Sequence, residues 1–211
     1  LAISVILSAK KGISSLQLAR TIGVNKNTAW YMQKRLRTAM QEDLTLSGIV
    51  EIDETYIGGN LGNMKKDKKQ KRNPFKSGMI HKVPVLGMIE RGGKVVLKVI
   101  PHANKAIIRP ILRQRISLDS TIVTDGFGPY RTLKKEFNEH ISINHDKKEK
   151  AKGIYNLSSI EGFFSTIKRA IIGQYHQISP DNLSSYMDEI NFKFNHSSGD
   201  SFDYLIRKCV E

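Results

Sequence analysis

Residues 48–57 read GIVEIDETYI, a β-branched and apolar run carrying Glu51, Asp53 and Glu54, and Gly58-Gly59 follows it. Such a run is a strand. A carboxylate in the middle of an otherwise core-like strand is costly unless it is paired or binds a cation, which singles out Asp53. Working outward toward the C-terminus, 82–89 and 94–100 flank Arg91-Gly92-Gly93, the pattern of a hairpin. A helix is expected over 105–116, with Ile108, Ile111 and Leu112 on one side. A short buried strand, 121–124, closes on Asp125-Gly126. Then come a helix over 130–138, a strand at 141–144, and helices near 159–172 and 180–195. The order β-β-β-α-β-α-β-α predicts a mixed α/β sheet, with a three-strand meander first, crossover helices after it, and the first and fourth strands adjacent.

Upstream of that sheet, residues 13–38 read as two helices around a tight turn. Ser14 or Ser15 caps the first, whose apolar positions include Leu16, Ala19 and Ile22. Gly23 sits where a left-handed residue ends a helix, and Val24 packs beneath the turn. Asn25 or Asn27 caps the second. Ala29, Met32, Leu36 and Met40 form its apolar stripe, while Lys26, Asn27, Tyr31, Lys34, Arg35 and Arg37 are assigned to a polar face that can reach phosphates and base edges. Trp30 is expected to pack. The division expected is a small all-α helix-turn-helix segment over 1–46 and an α/β domain over 47–211, interrupted by a basic loop at 60–80 that can hold phosphates.

Composition narrows the function. The chain of 211 residues carries 34 Lys+Arg against 20 Asp+Glu, a net charge of +14, which favours a polyanionic partner. A hydrophobic fraction of 39% suffices for a packed core. No apolar run approaches the roughly 18 residues of a membrane span. A chain opening on Leu1 inside an apolar run is expected to be a segment of a longer one. The lone Cys209 excludes an intramolecular disulfide and a zinc ribbon within these residues, and fits a reducing cytoplasm. The six histidines form no close pair at metal-ligand helical spacing. Gly58-Gly59 and Gly92-Gly93 lack the Lys-Ser/Thr ending of a phosphate-cradling loop.

Three carboxylates remain as candidates. Asp53 lies within the first strand, Asp125 ends the fourth, and Glu161 starts a helix whose apolar stripe is Ile160, Phe164, Ile167 and Ile171. Hard oxygen ligands from separated segments suit Mg²⁺ or Mn²⁺. Each has a plainer reading: an edge acid for Asp53, a turn-former before Gly126 for Asp125, and a capping box, Ser158-Ser159-Ile160-Glu161, for Glu161. Lys168, two turns beyond Glu161, and Arg169 are candidate DNA-backbone contacts. Glu51, Glu54, Asp188 and Glu189 stand near motif positions with no spacing that singles them out.

Asp53 within VEIDETYIGG, Asp125 within IVTDGFGPY and Glu161 within SSIEGFFSTIKRAIIGQYH resemble the DDE transposases of bacterial insertion sequences, specifically the group with an N-terminal zinc ribbon and helix-turn-helix before a ribonuclease-H-like core. Between Asp125 and Glu161 lie 35 residues, the spacing from which many such enzymes take their name. The resemblance extends over residues 13–195, with HKVPVLGMIERGGKVVLKVI and YMDEINFKFN among its motifs. It implies a ribonuclease-H-like mixed sheet flanked by helices, and two Mg²⁺ or Mn²⁺ ions held by Asp53, Asp125 and Glu161. It also implies strand cleavage and strand transfer at insertion-sequence ends, with double-stranded DNA, both element ends and target, as partner. A homodimer on DNA and a cytoplasmic, nucleoid-associated location are further implications. Two departures stand out: the zinc ribbon is absent, and Ser158 occupies a position where many relatives carry Asn, leaving Ser158 and Lys168 as auxiliary residues. The alternatives are a transposase-derived DNA-binding protein without catalysis and a structure-selective nuclease on the same fold.

Overall fold

The computed structural model describes residues 1–58, 82–131, 133–143, 151–197, 199 and 201–210. The loop expected at 60–80 lies outside the described residues. Five strands, β1 (Ile49–Ile57), β2 (Val83–Glu90), β3 (Val95–Val99), β4 (Thr121–Asp125) and β5 (Glu139–Ile143), form one sheet in the order β3-β2-β1-β4-β5. Strand β2 runs antiparallel to β1 and β3, whereas β1, β4 and β5 run parallel. This is the mixed sheet expected, with the first and fourth strands side by side. The β2–β3 turn closes through Glu90 O, which accepts from Gly93 N at 3.0 Å, and Gly92 supplies a φ of 72° that a side chain would resist.

Alternation along the strands separates two cores. Val50 and Ile52 of β1 join Leu86, Met88 and Ile122 beneath helix α4 (Lys105–Arg115), which contributes Ile108 and Leu112. Ile57, Val85, Leu97 and Val123 face the other way. They meet Ile160, Phe164 and Ile167 of α5 (Ser158–Ala170) and Leu183 and Met187 of α6 (Pro180–Asn195). Helix α6 also closes the sheet's outer edge. Asn191 Oδ1 accepts from Leu97 N at 2.9 Å and its amide donates to Leu97 O at 3.3 Å; Asn195 does the same to Val95 at 2.8 and 3.0 Å. Two amides at helical spacing thus stand in for a sixth strand and leave that edge unavailable for pairing.

At the N-terminus, α1 (Ala2–Ser8), α2 (Ser15–Ile22) and α3 (Lys26–Ala39) form a helical unit. Ser14 Oγ accepts from Gln17 N, Asn25 Oδ1 accepts from Thr28 N, and Gly23 takes a φ of 74° between the two helices. Leu18, Ala29 and Met40 of this unit bury together with Phe192 of α6 and Leu205 of α7 (Ser201–Val210). The core therefore crosses the expected boundary at residue 46.

Two expectations need correction. The helix expected over 130–138 is instead a pair of 3₁₀ turns, Gly128–Tyr130 and Leu133–Lys135. Tyr130, Leu133 and Phe137 are all buried, and their spacing of three and four fits either helix type. Pro129 at the start of the first turn and i→i+3 bonds such as Tyr130 N to Phe127 O select the tighter form. The helix α5 does not run on as an α-helix to 172 either: Ile171–Tyr175 is a π-helical turn that ends at His176, a non-glycine residue with φ 58°. Helices α1 and α7 were not expected from the sequence.

Candidate active site

The pairing of β1 with β4 runs in parallel from Ile49↔Thr121 to Ile52↔Thr124. The next residue on each strand is an acid, Asp53 on β1 and Asp125 on β4. Since Ile52 packs into the α4-side core, both acids belong to the opposite, α5-side face. Asp53 Oδ1 accepts from Glu54 N at 2.8 Å, and Asp125 Oδ1 accepts from Phe127 N at 2.9 Å. The turn-forming role considered for Asp125 is therefore present, and it fixes the carboxylate at the strand end. Lys152 reaches the same strand ends, donating to Ser142 O at 2.6 Å, while Ser142 Oγ donates to Asp125 O at 3.1 Å.

Helix α5 approaches this pair because of a glycine. Gly87 of β2 lies directly opposite Asp53 in the ladder. A Cβ there would come within 2.6 Å of the Phe164 ring and 2.8 Å of Ile160 Cδ1. The bare backbone lets α5 lie against the face that carries Asp53, and Glu161 follows Ile160 on the helix's exposed side. Its capping-box reading is not what forms: Ser158 Oγ bonds Asn156 Oδ1, and no side chain of the helix's own N-cap residue, Leu157, serves.

What caps α5 instead is Glu51, fully buried on β1. Its Oε2 accepts from Ser159 N at 3.0 Å and Ile160 N at 3.1 Å, and its Oε1 accepts from Ser159 Oγ at 3.0 Å. The Arg91 guanidinium pairs with the same Oε1 at 2.9 Å. Sequence spacing gave no signal for this contact, because its partners stand 108 and 109 positions apart.

Glu54 is the second residue missed. It faces the α4-side core, where Tyr130 Oη donates to its Oε1 at 2.5 Å. Burial pushes its carboxyl up to about 7; the Tyr130 bond works against that, and the charges of Asp53 and Asp125 add to it. The same three carboxylates, after burial itself, raise the Tyr130 phenol. Glu54 therefore feels Asp53 and Asp125 as like charges, which is a setting a cation relieves. Among the described residues, no three His, Cys, Asp or Glu side chains group closely enough to hold a metal ion.

The remaining candidates divide. Lys26, Asn27, Tyr31, Lys34 and Arg35 are exposed on α3, and Lys168 and Arg169 on α5. Arg37 is a correction: it is 3% exposed, pairs with Glu189 through Nε at 2.7 Å and lies 3.7 Å from the centre of the Tyr186 ring. Burial would raise the Glu189 carboxyl, but Lys193 and Arg37 hold it below its ordinary value. Arg37 is thus a buried tie between α3 and α6, not part of the exposed basic face of α3. Trp30, expected to pack, is 41% exposed, with Lys34 Nζ 5.5 Å from its ring centre. Among the described residues, no helix is long and apolar enough to cross a membrane.

Residues 45–195 match the family model of the ISXO2-like transposase domain. A transposase-like protein of Haemophilus influenzae is 27% identical over 118 residues, covering 56% of this chain and 94% of that protein. A protein in transposable element ISH50 of Halobacterium salinarum is 26% identical over 180 residues, covering 81% of this chain and 60% of that protein. Among solved structures, the Mos1 strand transfer complex is similar at 14% identity with a TM-score of 0.41, over 99% of this chain and 72% of that one. The Mos1 transposase paired-end complex with left transposon end is similar at 12% identity with a TM-score of 0.39, over 99% of this chain and 73% of that one.

Proposed function

We propose, from the premise that this chain belongs to the ISXO2-like transposase domain family, that it is a DDE transposase cutting and joining DNA at insertion-sequence ends. The observation that carries the reading is the pair Asp53 and Asp125, consecutive to the last paired residues of two neighbouring parallel strands and on one face of the sheet. Glu161, at the start of the helix laid over that face, is the third carboxylate. When bound at these residues, two Mg²⁺ or Mn²⁺ ions would activate a water or 3′-hydroxyl and stabilise the leaving oxygen.

The chain's own residues supply position and charge. Asp53 and Asp125 are held by backbone N–H groups at their strand positions. Lys26, Asn27, Tyr31, Lys34 and Arg35 on α3 are the surface offered to duplex DNA as the second helix of a helix-turn-helix. Lys168 and Arg169 on α5 hold backbone phosphates, and Ser158 is an auxiliary polar group. In this reading residues 1–46 serve DNA recognition and 47–211 catalysis, the partner is double-stranded DNA, and the active form is a homodimer on the bacterial nucleoid.

A second reading, a transposase-derived DNA-binding protein without catalysis, draws on the exposed Lys26, Tyr31, Lys34 and Arg35 of α3, which can bind DNA whether or not the acids hold a metal. The two readings separate in one experiment. The chain is incubated with Mg²⁺ and a duplex carrying the inverted repeats that bracket its gene, and the products are resolved on a denaturing gel. Nicks at the repeat boundary and joined strands support the enzyme. Tight binding with intact strands contradicts it and supports the second reading.

A further inference from the structure

The clamp between β1 and α5 has no part in the chemistry proposed above, yet it ties together the elements that carry it. Glu51 stands two residues before Asp53, on the same face of the same strand. It has no exposed surface, and its two oxygens accept from both backbone N–H groups at Ser159 and Ile160, from the Ser159 hydroxyl and from Arg91. Arg91 comes from the β2–β3 turn and extends the clamp further. Its Nη1 donates to Ile154 O at 2.8 Å and its Nη2 to Asn156 O at 3.4 Å, both in the segment leading into α5. Burying a carboxylate this deeply is unfavourable unless nearly every lone pair is used, and here a cation, two N–H groups and a hydroxyl use them. A helix N-terminus welcomes a negative charge, but most helices draw it from their own first turn. Here it comes from the strand that bears Asp53, and the residue directly after Ile160 is Glu161.

We propose that Glu51 and Arg91 are positioning residues that set where Glu161 stands relative to Asp53; the proposal rests on the reading of Asp53, Asp125 and Glu161 as metal ligands. Glutamine cannot replace Glu51 fully. Its amide presents one acceptor and one donor, and the donor faces either the N–H groups of α5 or the Arg91 guanidinium. Lysine at 91 keeps the charge beside Glu51 but cannot also fork to Ile154 O and Asn156 O.

The test is calorimetric titration of the metal-free full chain with Mn²⁺, in the wild type and in Arg91→Ala, Arg91→Lys, Ser159→Ala and Asp53→Asn. Displacement of α5 weakens Mn²⁺ binding by roughly tenfold in Arg91→Ala, the scale of groups that orient metal ligands without touching the metal. Arg91→Lys recovers part of that loss, and Ser159→Ala, which removes one hydroxyl bond from the clamp, gives a smaller loss of the same sign. Simple destabilisation would lower the number of binding sites and leave their affinity alone, and that result overturns the proposal. So does wild-type affinity in both Arg91→Ala and Ser159→Ala while Asp53→Asn loses Mn²⁺; in that case the metal reading stands and the clamp fails. Wild-type Mn²⁺ affinity in Asp53→Asn overturns the metal reading, and the clamp with it.

Discussion

Burial raises the Glu54 carboxyl from an ordinary 4.5 to about 7, and this has a consequence for stability. Below pH 4.5 the group is protonated in both folded and unfolded chains and costs nothing. As pH climbs through 7 the folded chain must ionise a group that the unfolded chain has already ionised, so stability is lost. Glu54→Gln keeps an acceptor for Tyr130 Oη and removes the charge. The variant is expected to be more stable than wild type by about 1–3 kcal/mol near pH 8, with the difference vanishing toward pH 4. Chemical denaturation at the two pH values measures it, and an advantage that does not change with pH contradicts the assignment. At the same scale, Arg37 shows how a residue is misread. A basic side chain on a helix flanked by Lys34 and Arg35 reads as solvent-facing. The buried stripe of α3 is instead Ala29, Gln33 and Arg37, because α6 packs on that side and brings Glu189 with it. A charge that finds its partner 152 residues away leaves no local trace.

Among the elements, the strands were the most legible, since β-branched residues, alternation and terminal glycines all agree. The connection between β4 and β5 was not, because three buried residues at spacings of three and four satisfy two kinds of helix. The face on which α5 lies depends on Gly87, which a sequence reader passes over as an interruption in a strand. Gly87→Ala would force the Phe164 ring and Ile160 outward. The expected cost is about 1–3 kcal/mol, accompanied by loss of any activity that needs Glu161 near Asp53. Thermal denaturation gives the first and a cleavage assay the second. A fully stable, fully active Gly87→Ala chain would show that α5 does not depend on that close approach.

The whole molecule is organised around shared cores more than around separable parts. Phe192 is fully buried among residues of α1, α2 and α3, and Leu205 completes that cluster. Removing residues 1–46 would uncover Phe192 and leave Glu189 without Arg37. The 47–211 fragment is therefore expected to melt several degrees below the full chain and to aggregate, each kilocalorie costing about 2–4 °C at this size. An unchanged melting temperature would mean the two parts fold independently. The candidate site shows the same mixture of legibility. Asp53 stood out as an acid in the middle of a core-like strand and Asp125 as the acid that closes a short buried one, and each follows the last paired residue of two neighbouring strands. Glu51 and Glu54 could not be ranked, since what distinguishes them is burial and partners remote in sequence.

Metal-dependent nicking of duplex DNA carrying the element's ends, compared between wild type, Asp53→Asn and Asp125→Asn at matched DNA occupancy, tests the central claim most directly. Both substitutions keep the shape of the side chain and remove the charge that would hold a cation. The expected result is loss of cleavage by at least roughly a hundredfold, a few kilocalories of barrier, with DNA affinity little changed because α3 and α5 keep their basic faces. Wild-type cleavage by the Asp125→Asn chain would contradict the account.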